Sequence, residues 1–322
     1  MNDGKIIYAH ELIKTFNGET AVDKLSLEVE PGVIFGFIGP SGCGKTTSVR
    51  MLLGIYAPDS GEVEVLQRPP QQFRRQEQVQ IGYMPQQFVL YPELTVWENL
   101  EFAALLYGQS LRRKETTPEL LELVELTGHE KKKVRDLSGG MQRRLSLAAS
   151  IVHDPRLLFL DEPTAGIDPV LRRKFWDYFE TLKQNGRTLF VTTQYVGEAA
   201  HCDQVGVMLD GRLIVVDSPE GLRRRALGGE IIRLNTASYL PEADFNRLRA
   251  QPFVKDGQAV RLRNHEVELV VEDASMALPK LISWCQAEDI EVTSASEYLP
   301  VFDDVFVELI KQETLERENG ED

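Results

Sequence analysis

The chain has 322 residues, of which 42% are hydrophobic and 27% charged, and a formal net charge of −14. This is a globular composition, long enough for two domains, and its acidity argues against a nucleic-acid partner. Three widely spaced cysteines, Cys43, Cys202 and Cys285, argue against a disulfide framework or a zinc site.

In chain order, Ile6 to about Asp217 reads as strands and helices joined by short turns. GVIFGFIG is a near-continuous apolar strand, followed by a Gly-rich turn and a helix beginning at KTTSVRMLLG. PDSG (58–61) turns the chain into EVEVL, a half-exposed strand. TVWENLEFAALLYG and TPELLELVEL carry apolar residues at three- and four-residue steps and predict helices. PRLLFLDEP is a buried strand stopped by Pro163. DPVLRRKFWDYFETLKQNG is a helix with Phe175, Phe179 and Leu182 on one face and Gly186 as its C-cap. RTLFVTT and QVGVMLDGRLIVVDS supply further strands, the latter a hairpin around Asp210–Gly211.

After GLRRRALGGE the order becomes β-α-β-β-α-β, a ferredoxin-like arrangement with a hairpin around Asn264–His265. The acidic end, ETLERENGED, is expected to fray. The expected division is a larger α/β domain at 1–222, a linker at 223–230, a small α+β domain at 231–310 and a tail at 311–322. The longest apolar runs, VIFGFIG and LLFL, are far short of the about 20 residues of a membrane span, and the amino terminus has no signal-peptide core. The expected location is the cytosol, with membrane contact only through a partner. The basic clusters HEKKKVRD (129–136) and LRRRA (222–226) are solvated faces or local contacts, or else meet acidic partner or lipid groups.

Three motifs carry chemistry. GPSGCGKTT, residues Gly39, Pro40, Ser41, Gly42, Cys43, Gly44, Lys45, Thr46 and Thr47, fits G-x-x-x-x-G-K-[ST] between a buried strand and a helix. Its glycines let the backbone wrap phosphates, and the helix-start amides face the anion. Lys45 can reach the β and γ phosphates, and the Thr46 hydroxyl can ligate magnesium. Cys43, at a helix start beside Lys45, sits in surroundings that lower a thiol pKa, or is simply a small residue that fits the loop. RLLFLDEP ends a strand in Asp161–Glu162. In P-loop NTPases an aspartate here holds magnesium, and a following glutamate can orient and deprotonate a water; the pair can also be helix-start carboxylates. LSGGMQRR begins a helix in which Ser138 can N-cap while Gly139 and Gly140 leave amides bare, a second anion site. Two phosphate-binding surfaces in one chain suggest that two chains share nucleotides.

Gly39–Thr46, Gln86 in YMPQQFVLYPELTV, LSGGMQ, LLFLDEP and Asp168 in AGIDP stand in the order of ATP-binding-cassette (ABC) ATPases, which residues 5–217 resemble. More loosely, the whole chain resembles drug-resistance-type exporter subunits, whose short C-terminal domain ends like YLPVFDDVFVEL. The resemblance implies a RecA-like core with a helical subdomain at about 87–136, and ATP and Mg2+ as cofactors. It also implies a second, identical ATPase subunit and a transmembrane permease, which would keep the chain peripheral on the inner face of the membrane. By the same resemblance Phe16 stacks on adenine, unless it is an ordinary core Phe. Gln86 meets magnesium and the attacking water, Ser138 and Gly140 hold the other subunit's γ-phosphate, and Asp168 lies across the dimer interface. The family's strand-end histidine is replaced here by Gln194, which can donate a hydrogen bond to phosphate but carries no titratable proton; slow hydrolysis is expected. The rival readings are a soluble ABC ATPase acting in DNA repair or on ribosomes, and a regulatory or dimerising C-terminal module with a weak ATPase and no transport role.

Overall fold

The computed structural model describes residues 4–87, 89–109, 117–263 and 265–318; position 264, in the expected hairpin, and the last four residues of the acidic tail lie outside them. The chain divides into two units after Ser218.

The first unit opens with antiparallel strands β1 (Ile7–Phe16) and β2 (Glu19–Val29). β3 (Ile34–Ile38) runs through the Gly-rich turn into α1 (Lys45–Leu52), and β4 (Ser60–Val65) returns to pair with β1 in a sheet of order β2-β1-β4. α2 (Arg75–Gln78) and β5 (Ile81–Met84) follow. α3 (Val96–Leu106) starts at a capping box: Thr95 Oγ1 accepts from the Glu98 amide (3.2 Å), and the Glu98 carboxylate accepts from the Thr95 amide (2.8 Å). α4 (Thr117–Leu123) and α5 (Gly139–Ile151) bring the chain to β6 (Leu157–Asp161). α6 (Pro169–Gln184), β7 (Thr188–Thr193), β8 (Gln204–Leu209) and β9 (Arg212–Asp217) complete the unit.

β3, β6 and β7 are buried at every residue, as expected of strands covered on both faces of a parallel sheet. The sheet order is β5-β6-β7-β3-β8-β9, parallel except for the β8–β9 hairpin. Phe35 and Phe190 stack across β3 and β7 with centroids 5.1 Å apart, inside a core that also takes Leu12 and Leu25 from the first sheet. Each such side chain contributes about 1.5–3 kcal/mol by leaving water. The register pairs Ile38 with Thr193 and Asp161 with Thr192, which sets the tips of β6, β7 and β3 side by side.

The second unit contains α7 (Pro219–Leu227), β10 (Glu230–Thr236), α8 (Glu242–Arg249), β11 (Ala259–Arg263), β12 (Glu266–Val271), α9 (Ala274–Ala287), β13 (Val292–Tyr298) and α10 (Phe302–Glu318). Its sheet has the order β11-β12-β10-β13, and every neighbouring pair is antiparallel. Ile232, Leu234, Val267, Leu269 and Val271 alternate with less buried residues and cluster with Leu248 of α8 and Leu281 of α9.

Two expected boundaries differ. Residues 223–230 are no linker: α7 covers most of them, because Pro219 opens a helix and Leu222 and Ala226 bury one face of it. The expected tail is helical up to Glu318, held in part by Gln312 Nε2 donating to the Ala226 carbonyl (2.9 Å). Two arginines of LRRRA make local contacts: Arg224 pairs with Glu230 at 2.6 Å, and the Arg223 guanidinium lies over the Phe302 ring. Among the described residues no helix is long and apolar enough to cross a membrane.

Candidate functional site

The site stands on the adjacent tips of β6, β7 and β3, where a parallel sheet opens a crevice at its carboxyl edge. The loop after β3 carries the Gly39–Thr47 motif. Gly44 is the N-cap of α1 with φ 106°, and a Cβ there would lie 2.4 Å from the Ala21 carbonyl oxygen. Only glycine fits. Pro40, Ser41 and Gly42 form the exposed crest of the loop, Thr47 is half-buried on α1, and Lys45 is 5% exposed. Its ammonium donates to the carbonyls of Gly39 (2.7 Å) and Pro40 (2.9 Å), so the buried charge is held under the crest.

Of the two readings open for Cys43, the packing favours the second. Its thiol is buried against Gly39, and burial pushes its pKa up despite Lys45 Nζ 3.8 Å away. Desolvation disfavours the thiolate more than the nearby ammonium and the helix start favour it. Cys43 is a small residue that fills the loop, not an activated thiol.

Asp161, at the tip of β6, is fully buried. Its Oδ1 accepts from Thr192 Oγ1 of the neighbouring strand (2.5 Å) and from Thr46 Oγ1 (3.3 Å), while Oδ2 has no hydrogen-bond partner among the described residues. A buried carboxylate oxygen without a donor is costly. An orphaned anionic oxygen beside a hydroxyl is the donor set a hard divalent cation accepts, with phosphate and water supplying the remaining ligands. The residues present therefore fit Mg2+. Among the described residues, no cluster of three or more His, Cys, Asp or Glu offers a protein-only cage.

Glu162 follows with φ 52°, a left-handed conformation that a non-glycine residue rarely adopts. Its backbone amide is held by both the carbonyl (3.1 Å) and the hydroxyl (3.0 Å) of Thr192, which secures the strained turn. The carboxylate is 9% exposed and accepts from Gln86 Nε2 at 3.3 Å. Gln194, just beyond β7, is exposed and meets the phosphate loop directly: Ser41 Oγ donates to its Oε1 at 2.8 Å. His201 is turned elsewhere, stacked on Trp176 with centroids 5.0 Å apart.

Hydrogen bonds thus join Thr46 to Asp161, Gln86 to Glu162 and Ser41 to Gln194. Other expected residues stand outside this cluster. Ser138 caps α5 by accepting from the Met141 amide (3.3 Å), and Gly139 and Gly140 are exposed at the helix start. Asp168 caps α6, accepting from the amides of Val170 (3.1 Å) and Leu171 (3.0 Å). Phe16 is 38% exposed, edge-on to Tyr56 at 5.3 Å with the Lys14 ammonium 5.4 Å from its ring centre. It is a surface aromatic, not a core one.

Two site residues escaped the sequence reading. Arg143 donates to the main-chain oxygens of Glu162 and Gln86 and so ties the two halves of the acid–amide pair together; burial pushes its guanidinium pKa down, against the pull of Glu162 and Asp161. Its neighbour Arg144 turns away to the Val124 carbonyl (3.2 Å), since successive helical side chains diverge by about 100°. The pattern marked two arginines without saying which faces the site. The second is Glu198, a carboxylate only 5% exposed behind Gln194; nothing in GEAAHCD distinguishes it from a surface glutamate.

A family model described as "ABC transporter" matches residues 22–165. The chain is 39% identical over 223 residues to the Nod factor export ATP-binding protein I of Paraburkholderia xenovorans, covering 69% of this chain and 73% of that protein. To the same-named protein of Burkholderia pseudomallei it is 39% identical over 244 residues, 75% of this chain and 79% of that one. It is 37% identical over 226 residues to the probable multidrug ABC transporter ATP-binding protein YbhF of Escherichia coli, of which the match spans only 39%. In fold it is similar to a solved ATP binding subunit of an ABC transporter, with a TM-score of 0.64 at 24% identity, covering 69% of this chain and 93% of that one. The matched stretch contains the phosphate loop, the Gln86–Glu162 pair and the helix capped by Ser138, and the chain belongs to the ATP-binding proteins of ABC transporters.

Proposed function

We propose that this chain is the ATP-binding and ATP-hydrolysing subunit of a membrane exporter. Two copies close head to tail on two Mg·ATP, and hydrolysis reopens them. The observation that carries this reading is the cluster at the tips of β3, β6 and β7: a phosphate loop, a carboxylate oxygen awaiting a cation, and an amide–carboxylate pair. The printed name of the Nod factor export relatives supports the export direction.

In this mechanism the loop amides and Lys45 take the β and γ phosphates, Lys45 giving up the carbonyls of Gly39 and Pro40 for the more strongly attracting phosphate oxygens. Thr46 and Asp161 would hold Mg2+, which supplies charge neutralisation on the phosphate oxygens. Glu162 orients the attacking water and accepts its proton, while Gln86 fixes the carboxylate through their hydrogen bond. Gln194 uses its carbonyl on Ser41, which leaves its amide protons for the γ-phosphate. The exposed amides at Gly139 and Gly140 serve the nucleotide of the second copy, and Phe16 offers its open ring face to the adenine.

The stretch at about 87–136 we read as the helical subdomain that grips the permease, and the second unit as a ferredoxin-like accessory module. The strand order and antiparallel pairing of the latter support that reading. The test is purification from native membranes under mild detergent. Recovery with a polytopic membrane protein, and ATP turnover that rises with protein concentration, are expected. A monomeric chain without a membrane partner and with concentration-independent turnover would overturn the reading.

A further inference from the structure

Behind the tip of β7 lies a buried network that nothing in the phosphate chemistry requires. Glu198 is 5% exposed, and both of its oxygens are taken: Oε1 by Thr164 Oγ1 and Oε2 by Thr193 Oγ1, each at 2.7 Å. Arg172 Nε of α6 stands 3.5 Å from the same carboxylate, and its guanidinium lies over the Tyr195 ring, 4.6 Å from the centroid. The Thr193 hydroxyl also accepts from the Tyr195 amide at 3.0 Å. Gln194 therefore sits between two residues that are both fastened to this network. Thr164 lies two residues after Glu162, and its carbonyl receives the Ile167 amide at 3.2 Å.

Burying a carboxylate is costly, and loops rarely carry one without a purpose beyond stability, since an apolar side chain of similar volume would serve as well. What the arrangement does provide is direction. β7 ends at Thr193, and an exposed glutamine just past a strand end is free to rotate unless the backbone on both sides is pinned. We infer that Glu198 is a positioning residue for hydrolysis: through Thr193 and Tyr195 it holds Gln194 against the phosphate loop, and through Thr164 it keeps that tip in register with the turn that carries Glu162. The inference rests on the proposed ATPase reading, in which Gln194 faces the γ-phosphate.

The test uses the full-length chain and steady-state phosphate release, read as kcat and KM for Mg·ATP. Glu198→Gln keeps the size of the side chain but removes the charge and one acceptor. It is expected to lower kcat about two- to tenfold, the worth of one or two net hydrogen bonds in a barrier, with KM unchanged within twofold. Thr193→Val should do the same and Thr193→Ser should restore the wild-type rate, which keeps the test open if Glu198→Gln folds poorly. In a Gln194→Ala background the Glu198 and Thr193 changes should have no further effect on kcat, because they act through Gln194. Effects that add to those of Gln194→Ala, or an unchanged kcat in both Glu198→Gln and Thr193→Val, would overturn the inference while leaving the ATPase reading intact. Wild-type kcat in Gln194→Ala alone would overturn the role of Gln194 and this inference with it.

Discussion

The first unit carries two surfaces that we propose bind anions, and they are built in opposite ways. At the tips of β3, β6 and β7 the charged groups are buried and wired together: Lys45 is 5%, Asp161 0% and Glu162 9% exposed. At the start of α5, Ser138, Gly139 and Gly140 are exposed, and the Ser138 side chain is used in its own cap. The first surface is preorganised: carbonyls of the loop itself meet the Lys45 charge, and the Thr192 and Thr46 hydroxyls meet one oxygen of Asp161. The second offers bare helix-start amides that cost little to keep in water and gain when an anion is pressed against them. A surface of the first kind can do chemistry; one of the second kind suits a contact supplied by another molecule.

The sharpest way to break this comparison is at the buried end. Glu162→Gln should retain ATP binding, because the phosphate loop is untouched, and should lower turnover about 10²-fold or more, the scale of a lost general base. Steady-state phosphate release beside equilibrium ATP binding checks it, and an undiminished rate removes Glu162 from the mechanism. The exposed end should behave differently. Gly140→Asp sets a carboxylate in the first turn of α5, where it favours the helix but repels a phosphate, so folding and single-chain ATP binding should persist while turnover falls about tenfold or more. Thermal melting and phosphate release measured together decide this. If turnover survives, the α5 start is not an anion site.

Gln194 combines traits of both, being exposed yet bonded to Ser41 of the phosphate loop. Gln194→Ala should lower turnover about two- to tenfold by removing one neutral donor from the phosphate. Gln194→His should raise it above wild type, since a charged donor bonds about twice as strongly as a neutral one; the histidine variant should then gain most below its imidazole pKa and lose that gain as pH rises through it. A rate-against-pH profile of both variants and the wild type is the check. The smallest effect concerns Cys43. Burial holds its thiol above the usual range, so at neutral pH a disulfide reagent should label it more slowly than an unfolded cysteine, with labelling rising only at alkaline pH. Fast labelling at pH 7 would mean that the loop opens more than its packing against Gly39 allows.

Much of the site was legible because its chemistry is local. The spacing of Gly39, Gly44, Lys45 and Thr46 is dictated by the turn from strand to helix that wraps a phosphate, and LLFLDEP announces its own buried strand and acidic tip. Arg143 and Glu198 were not legible. One is an arginine beside another arginine, separated only by the direction each side chain takes from the helix; the other is a glutamate that burial, not residue type, sets apart. The two readings left open for Cys43 were decided in the same way, by burial. The helix start and Lys45 are visible in the sequence, but the burial that outweighs them comes from the packing around the loop.

The sequence by itself determined the order of the motifs, the apolar strands that must lie inside a parallel sheet, and the residue types able to hold phosphate and a divalent cation. Local spacing suffices for these, because a strand, a glycine turn and a helix start are each decided within about ten residues. Only the tertiary structure decided that β6, β7 and β3 lie side by side in that order, since strands distant in the chain become neighbours through crossovers the sequence does not number. That adjacency brings Thr192 to Asp161 and Ser41 to Gln194 across 31 and 153 residues, and the placement of α5 brings Arg143 to Glu162. It also decided which charges are desolvated, because burial depends on what the fold packs around them.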